Sequence, residues 1–170
     1  MVKNKIIEKF LRDGYLNISR EVFLNDPIDK VFNFFSDASN LDILTPRWLN
    51  FNIITEMPIS ISKDTHISYQ LKYRGFPIKW ISNISEWDPP YFFVDEQIKG
   101  PYKKWVHFHY FKSQNQGTVV TDIVFYKIIG NKKIDTLLDS LIIKSDLDKI
   151  FDFRMQMIKT IDFQNSKSSL

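Results

Sequence analysis

Two histidines two residues apart, His107 and His109, stand in a run, Lys104 to Lys112, that alternates in a two-residue period. That period puts Trp105, His107, His109 and Phe111 on one strand face and Val106, Phe108 and Tyr110 on the other. Neither face is simply polar, as a solvent-facing one would be. Asp95 and Gln97 lie in the run before it and Asp122 in the run after it. If the three runs are neighbouring antiparallel strands, all five polar side chains come within cross-strand reach on one face. A histidine–aspartate pair in such a place can move protons near neutral pH, as an aldol-type cyclisation or a dehydration requires, which makes His107, His109 and Asp122 the catalytic candidates. Two imidazoles and a carboxylate also have the composition of a nitrogen–oxygen metal set. The same spacing arises by chance in aromatic-rich strands, so no metal or other cofactor is expected. A third reading is structural: the groups form a satisfied network that fixes strand register and holds a helix.

Arg154 belongs with them. Leu147, Ile150, Phe151, Met157, Ile158 and Ile161 fall on one arc of a C-terminal helix at about 100° per residue, and Arg154 sits in that arc where an apolar residue is expected. An unpaired buried guanidinium costs several kcal/mol, so it needs an anionic or carbonyl partner, and Asp95 and Asp122 are the candidates.

Several chemistries are excluded. The 170 residues contain no cysteine, which removes thiol catalysis, disulfides and cysteine-ligated metal. There are five glycines and no glycine-rich phosphate loop, nucleophile-elbow serine or HExxH pair. The formal charge of +3 is spread without a block of like charges, so nucleic acid is not an expected partner. No stretch approaches the roughly 20 apolar residues of a membrane span, and nothing near Met1 resembles a signal peptide, so a cytoplasmic location without stable membrane insertion is expected.

The elements that must position these groups follow from periodicity and turn chemistry. Strands are predicted at about 18–25, 50–55, Thr65–Arg74, Phe76–Trp87, Tyr91–Lys99, Lys104–Lys112 and Thr118–Tyr126. Gly75, Gly100-Pro101 and Gln114 to Gly117 supply turns, and Asp88-Pro89-Pro90 ends a strand. Helices are predicted at Ile28–Phe35, with Asp26 capping and Pro27 opening it, and at Asn40–Leu44, stopped by Thr45-Pro46. In the C-terminal helical region, Ile134, Leu137, Leu138 and Leu141 precede a break or fresh cap at Ser145-Asp146. A short amphipathic helix, Lys3–Asp13, carries Ile6, Ile7, Phe10 and Leu11 on one side and ends at Gly14. The organisation is an N-terminal extension over residues 1–16, one domain over 17–163 and a polar tail over 164–170 expected to be disordered.

The fold class is α+β: a curved antiparallel sheet of about seven strands around a long C-terminal helix, with two short helices after the first strand. Such a sheet leaves a concave gap under the helix, a usual small-molecule site. Trp48, Tyr69, Tyr73, Trp80 and Trp105 either fill the core or join Asp95, Gln97, His107, His109, Asp122 and Arg154 in lining that gap.

The order of elements, with Val31-Phe32-Asn33-Phe34-Phe35-Ser36-Asp37, Leu44-Thr45-Pro46, Glu86-Trp87-Asp88-Pro89-Pro90, Gly100-Pro101-Tyr102 and His107-Phe108-His109-Tyr110-Phe111, resembles the START-like (SRPBCC, birch-pollen-allergen) superfamily over residues 18–162. More narrowly it resembles the bacterial cyclase/dehydrase, or polyketide-cyclase-like, proteins. The resemblance implies a helix-grip fold with a hydrophobic cavity, and hence non-covalent binding of a lipid, isoprenoid or polyketide-like molecule. It does not fix chemistry, because this fold hosts carriers, receptors and enzymes alike. A cyclase or dehydratase is the alternative, and a protein-interaction module docking through the N-terminal segment is a third.

Overall fold

The computed structural model describes residues 2–163. The predicted disordered tail, 164–170, lies outside the described residues. The element order is α1 (Val2–Arg12), β1 (Leu16–Leu24), α2 (Ile28–Phe35), β2 (Asn52–Ile53), β3 (His66–Tyr73), β4 (Phe76–Asp88), β5 (Phe92–Lys99), β6 (Lys104–Gln114), β7 (Gly117–Lys127), α3 (Lys132–Leu138) and α4 (Lys144–Ile158). All seven strands form one antiparallel sheet in the order β1-β7-β6-β5-β4-β3-β2. Only the β1–β7 pairing is non-sequential, and it closes the meander by bringing the first strand beside the last. Tight turns fix the registers: Arg74 and Gly75 both have positive φ (50° and 85°) between β3 and β4, and Asn115 and Gln116 do the same (48° and 63°) between β6 and β7.

The concave face grips α4 and α2. Val31, Phe32, Phe35, Phe111, Val120, Met155 and Ile158 form one buried cluster there, and Trp80, Trp105, Tyr126, Leu147 and Phe151 form a second. The convex face is not left to solvent. Phe10 of α1 stacks on Phe125 at 4.5 Å between ring centroids and meets Phe108 edge-on at 5.8 Å, while Val94, Val106 and Ile123 complete a third cluster. This is why Trp105 to His109 are all buried in succession: β6 is covered on both sides. Ile6, Ile7 and Phe10 on the apolar side of α1, offered above to a protein partner, therefore pack on the protein's own sheet, while Leu11 stays exposed.

Several boundaries differ from expectation. The predicted helix at Asn40–Leu44 is a 3₁₀ turn, Ala38–Leu41, capped by Asp37, whose side chain accepts from the Ser39 backbone N–H. A second 3₁₀ turn, Arg47–Leu49, follows Pro46 and ends in left-handed Asn50, which cuts the strand predicted at 50–55 down to two residues. Asp26 does not cap α2: the N-cap is Pro27, with no side-chain hydrogen bond. There is no break at Ser145-Asp146 either. A π-helical turn, Asp139–Ile143, joins α3 to α4 without interruption. Among the described residues no helix is long and apolar enough to cross a membrane.

Candidate functional site

Register sets the site. Asp95 on β5 lies directly opposite His107 on β6, and His109 lies opposite Asp122 on β7. His109 is the centre: its Nδ1 is 2.9 Å from Asp122 Oδ1 and its Nε2 is 2.9 Å from Asp95 Oδ2. A carboxylate can only accept, so both ring nitrogens donate and His109 is an imidazolium. Its pKa follows the same balance. Burial alone pushes it down, but Asp122 and Asp95 together outweigh that and raise it. From α4, Arg154 donates through Nε to Asp122 Oδ2 at 2.7 Å, and its guanidinium lies 5.3 Å from the Phe35 ring centroid.

The network continues toward the outer strands. Ser82 on β4 donates to Asp95 Oδ1 at 3.4 Å and accepts from Trp80 Nε1 at 3.1 Å, and Tyr69 Oη lies 3.2 Å from the Ser82 hydroxyl. One donor and two lone pairs of a serine are thereby used if Tyr69 donates. Both carboxyls must overcome burial, which favours the neutral acid. His109, His107 and Arg154 nevertheless hold Asp95 below the usual carboxylate range, and Arg154 and the two histidines hold Asp122 well below it. Two carboxylates against Arg154 and one imidazolium leave this buried set electrically balanced.

His107 is the exception. Burial, then the neighbouring His109 cation, drives its pKa down, so it is the neutral ring of the pair. The two rings lie 3.8 Å apart between centroids. His107 Nδ1 is 3.4 Å from Asp95 Oδ2, while Nε2, 3.7 Å from Asp122 Oδ1, is buried without a hydrogen-bond partner among the described residues.

One side of this set opens on a cavity of about 280 Å³ between the sheet and α4. Asp95, His107, His109 and Arg154 form its polar wall, with Tyr69, Tyr73, Trp80 and Trp105 among the lining. Most of the remaining lining is aliphatic or aromatic, including Leu71, Ile78, Ile84, Phe93, Leu147 and Ile150. Three predicted ligand contacts lie elsewhere. Trp48 is 58% exposed and packs on Phe153 of α4, because the 3₁₀ turn that carries it directs Leu49 into the gap and Trp48 outward. Gln97 braces the β5–β6 turn, donating to the Tyr102 carbonyl at 2.6 Å and accepting from the Tyr102 N–H. Asp122 is wholly buried behind His109 and orients it without lining the cavity.

Ser82, Tyr102 and Asp146 also line the cavity, and none of them is among the ligand contacts expected from the sequence. Asp146 takes a hydrogen bond from Tyr73 Oη at 2.5 Å and pairs with Arg74 at 2.8 Å, tying the start of α4 to the β3–β4 hairpin. Nothing in an isolated serine or a helix-start aspartate marks these roles; the alternation that puts Ser82 on the same face as Trp80 is the nearest signal.

Asp95, His107 and His109 each offer one donor atom within 4.8 Å of the others, the composition of a two-histidine, one-carboxylate metal set. In the geometry observed, both nitrogens of His109 are already committed to carboxylates, so a metal there would have to displace its proton.

No family model matches the chain, and no curated protein matches it in sequence. Solved structures do match in shape. TTHA0849 from Thermus thermophilus aligns over 84% of this chain and 97% of its own, with a TM-score of 0.63 at 14% identity. Ginseng major latex-like protein 151 from Panax ginseng aligns over 85% and 95%, with a TM-score of 0.62 at 10% identity. A norcoclaurine synthase from Thalictrum, solved as a point mutant with a transition-state analogue, aligns over 85% and 94%, with a TM-score of 0.59 at 14% identity. With its curved seven-stranded antiparallel sheet around a C-terminal helix, the chain has the helix-grip fold that these structures share.

Proposed function

We propose that this protein binds one predominantly apolar small molecule, of lipid, isoprenoid or polyketide-like class, non-covalently between the sheet and α4. The observation that carries this reading is a predominantly apolar cavity in which Asp95, His107, His109 and Arg154 share one wall, while Tyr73 and Asp146 are tied to the β3–β4 hairpin. Such a wall orients one end of a ligand while the remaining lining takes up its hydrocarbon body. The charges of Asp95, Asp122, His109 and Arg154 already cancel, so the polar end that fits is an uncharged acceptor such as a carbonyl or hydroxyl oxygen. Arg154 is bonded through Nε alone among the described residues, and its terminal nitrogens are the donors for that oxygen.

Native mass spectrometry of the purified protein, followed by organic extraction, tests this. A stoichiometric lipid-like adduct supports it and names the class. A protein that neither carries an adduct nor takes up any apolar probe offered to it overturns it.

A second reading, an acid–base enzyme of the cyclase or dehydratase type, is favoured by His107 alone. It is a cavity-lining imidazole whose pKa burial holds down, and the neutral ring is the form a general base requires. Under that reading, His107→Gln abolishes turnover of a bound carbon acid while ligand binding and folding persist.

A further inference from the structure

The helical run after β7 is amphipathic in the wrong sense. Its acids point inward: Asp135 accepts from the backbone N–H groups of Ile128, Ile129 and Gly130 at 3.1, 2.8 and 3.2 Å, and Asp139 accepts from Tyr126 Oη at 2.6 Å. Both are buried. Its apolar residues point outward: Leu137 is 57% exposed and Leu141 is 70% exposed, with Ile134, Ile142 and nearby Ile129 also exposed. Single exposed apolar residues are ordinary, but a row at i, i+3 and i+7 on one helical run is the pattern of a covered face.

The charge at this end of the molecule is mostly positive, with Asp13 before β1 and Asp146 on α4 set against it. Residues 65–85, 97–121 and 123–134 contain no aspartate or glutamate. The antiparallel pairing brings the β3–β4 hairpin, the β5–β6 turn and the β7–α3 connection to the same end, and with them Lys72, Lys99, Lys103, Lys132 and Lys133, beside an Arg74 already paired with Asp146. Phe76, on the hairpin, is 75% exposed there. The cavity reaches this end through Tyr73, Pro101, Tyr102, Ile128 and Ile143. A charge that is thin along the sequence is thus gathered in space around exposed hydrocarbon.

We propose that this end docks on an anionic bilayer, with Leu137 and Leu141 entering the headgroup boundary and the surrounding lysines meeting lipid phosphates. A bilayer fits both components at once, since apolar side chains and cations on one surface are what interfacial binding uses. A second copy would bring like charges together, and nucleic acid gains nothing from exposed leucines. Docking would let an apolar ligand pass between bilayer and cavity without crossing water; that consequence rests on the cavity reading above, whereas docking itself does not.

Co-sedimentation with vesicles of phosphatidylcholine alone and of equimolar phosphatidylcholine and phosphatidylglycerol tests the proposal. The protein is expected to bind the anionic vesicles and to be released by salt. Each of Lys132→Gln and Lys133→Gln should weaken binding about fivefold, and Leu137→Ser with Leu141→Ser should weaken it about tenfold or more. Both leucines are exposed, so these variants keep the fold. An apolar fluorescent probe should enter the cavity of the leucine double variant as it does that of the wild type. Wild-type protein that ignores anionic vesicles, or binds them equally after the leucine substitutions, overturns docking whether or not the probe binds. A dimer dispersed by the leucine substitutions, or a preference for a DNA duplex over vesicles, assigns the surface to another occupant and also overturns it. Vesicle binding without probe uptake would instead count against the cavity reading alone.

Discussion

Arg154 reaches from the middle of α4 to Asp122 on β7, its Nε 2.7 Å from Oδ2, and both side chains are buried. The pair joins helix to sheet at the point where an apolar contact would otherwise do so. Removing Arg154 leaves Asp122 with His109 alone and the buried set with one uncompensated negative charge, at about 3–5 kcal/mol. Arg154→Ala should show that loss in urea denaturation. Arg154→Leu should lose less, because it refills the space left beside Phe35. Wild-type stability in both variants would mean that Arg154 is not buried against Asp122.

His109 and His107 should give the stability a maximum near pH 6.5, the ordinary histidine value from which they shift in opposite directions. His109 is raised, so the native state holds its proton more tightly than the unfolded chain does. Its contribution is full below 6.5 and is lost as pH climbs through the folded value. His107 is lowered, so the unfolded chain binds its proton first, and stability falls as pH drops below 6.5. Asp95 and Asp122 are lowered too, and their contributions disappear at still lower pH as they are protonated. Melting temperatures across pH should show both arms, and His109→Gln should remove the alkaline one. A flat profile above neutrality in the wild type would contradict the imidazolium assignment.

The site was partly legible because strand alternation is a local property. Once Asp95, His107, His109 and Asp122 sit in adjacent strands of matching period, their meeting follows from pairing alone, and Arg154 betrays itself by interrupting an apolar arc. The placements of Trp48 and Gln97 depend instead on a 3₁₀ turn and on a turn-bracing hydrogen bond, neither of which has a period to read. The outward face of α3 was hidden for a similar reason. Ile134, Leu137 and Leu141 form a regular apolar row, and only the contacts of Asp135 and Asp139 with the end of β7 show that the acids, rather than the row, face the protein. Sequence periodicity shows that a helix has two faces; tertiary contacts decide which is inside.

The cavity should be closable from the helix side. Ile150 on α4 lines it and is only half-buried, so a larger ring at that position can extend into the gap. Ile150→Trp is expected to lower affinity for an apolar fluorescent probe at least about tenfold while costing about 1–3 kcal/mol, the usual range for overpacking. Probe titration alongside thermal melts separates the two effects. Undiminished probe binding in a folded variant would place the probe elsewhere on the protein.

The covered convex face makes a prediction about α1 that an interaction-module reading does not. Phe10 stacks on Phe125 and meets Tyr15 at 4.9 Å and Phe108 at 5.8 Å, so it closes the outer layer over strands β6 and β7. Phe10→Ala should cost about 2 kcal/mol, less than the roughly 3–5 of a fully buried phenylalanine because Phe10 keeps some exposure. Deleting residues 1–12 should cost more and expose Val106, Phe108 and Phe125, which a rise in fluorescence of a hydrophobic-surface dye would report. A helix held in reserve for a partner would behave differently, since its removal would leave the melting temperature unchanged and abolish only an association. Unaltered stability on deletion would therefore detach α1 from the domain and return its apolar side to an external partner.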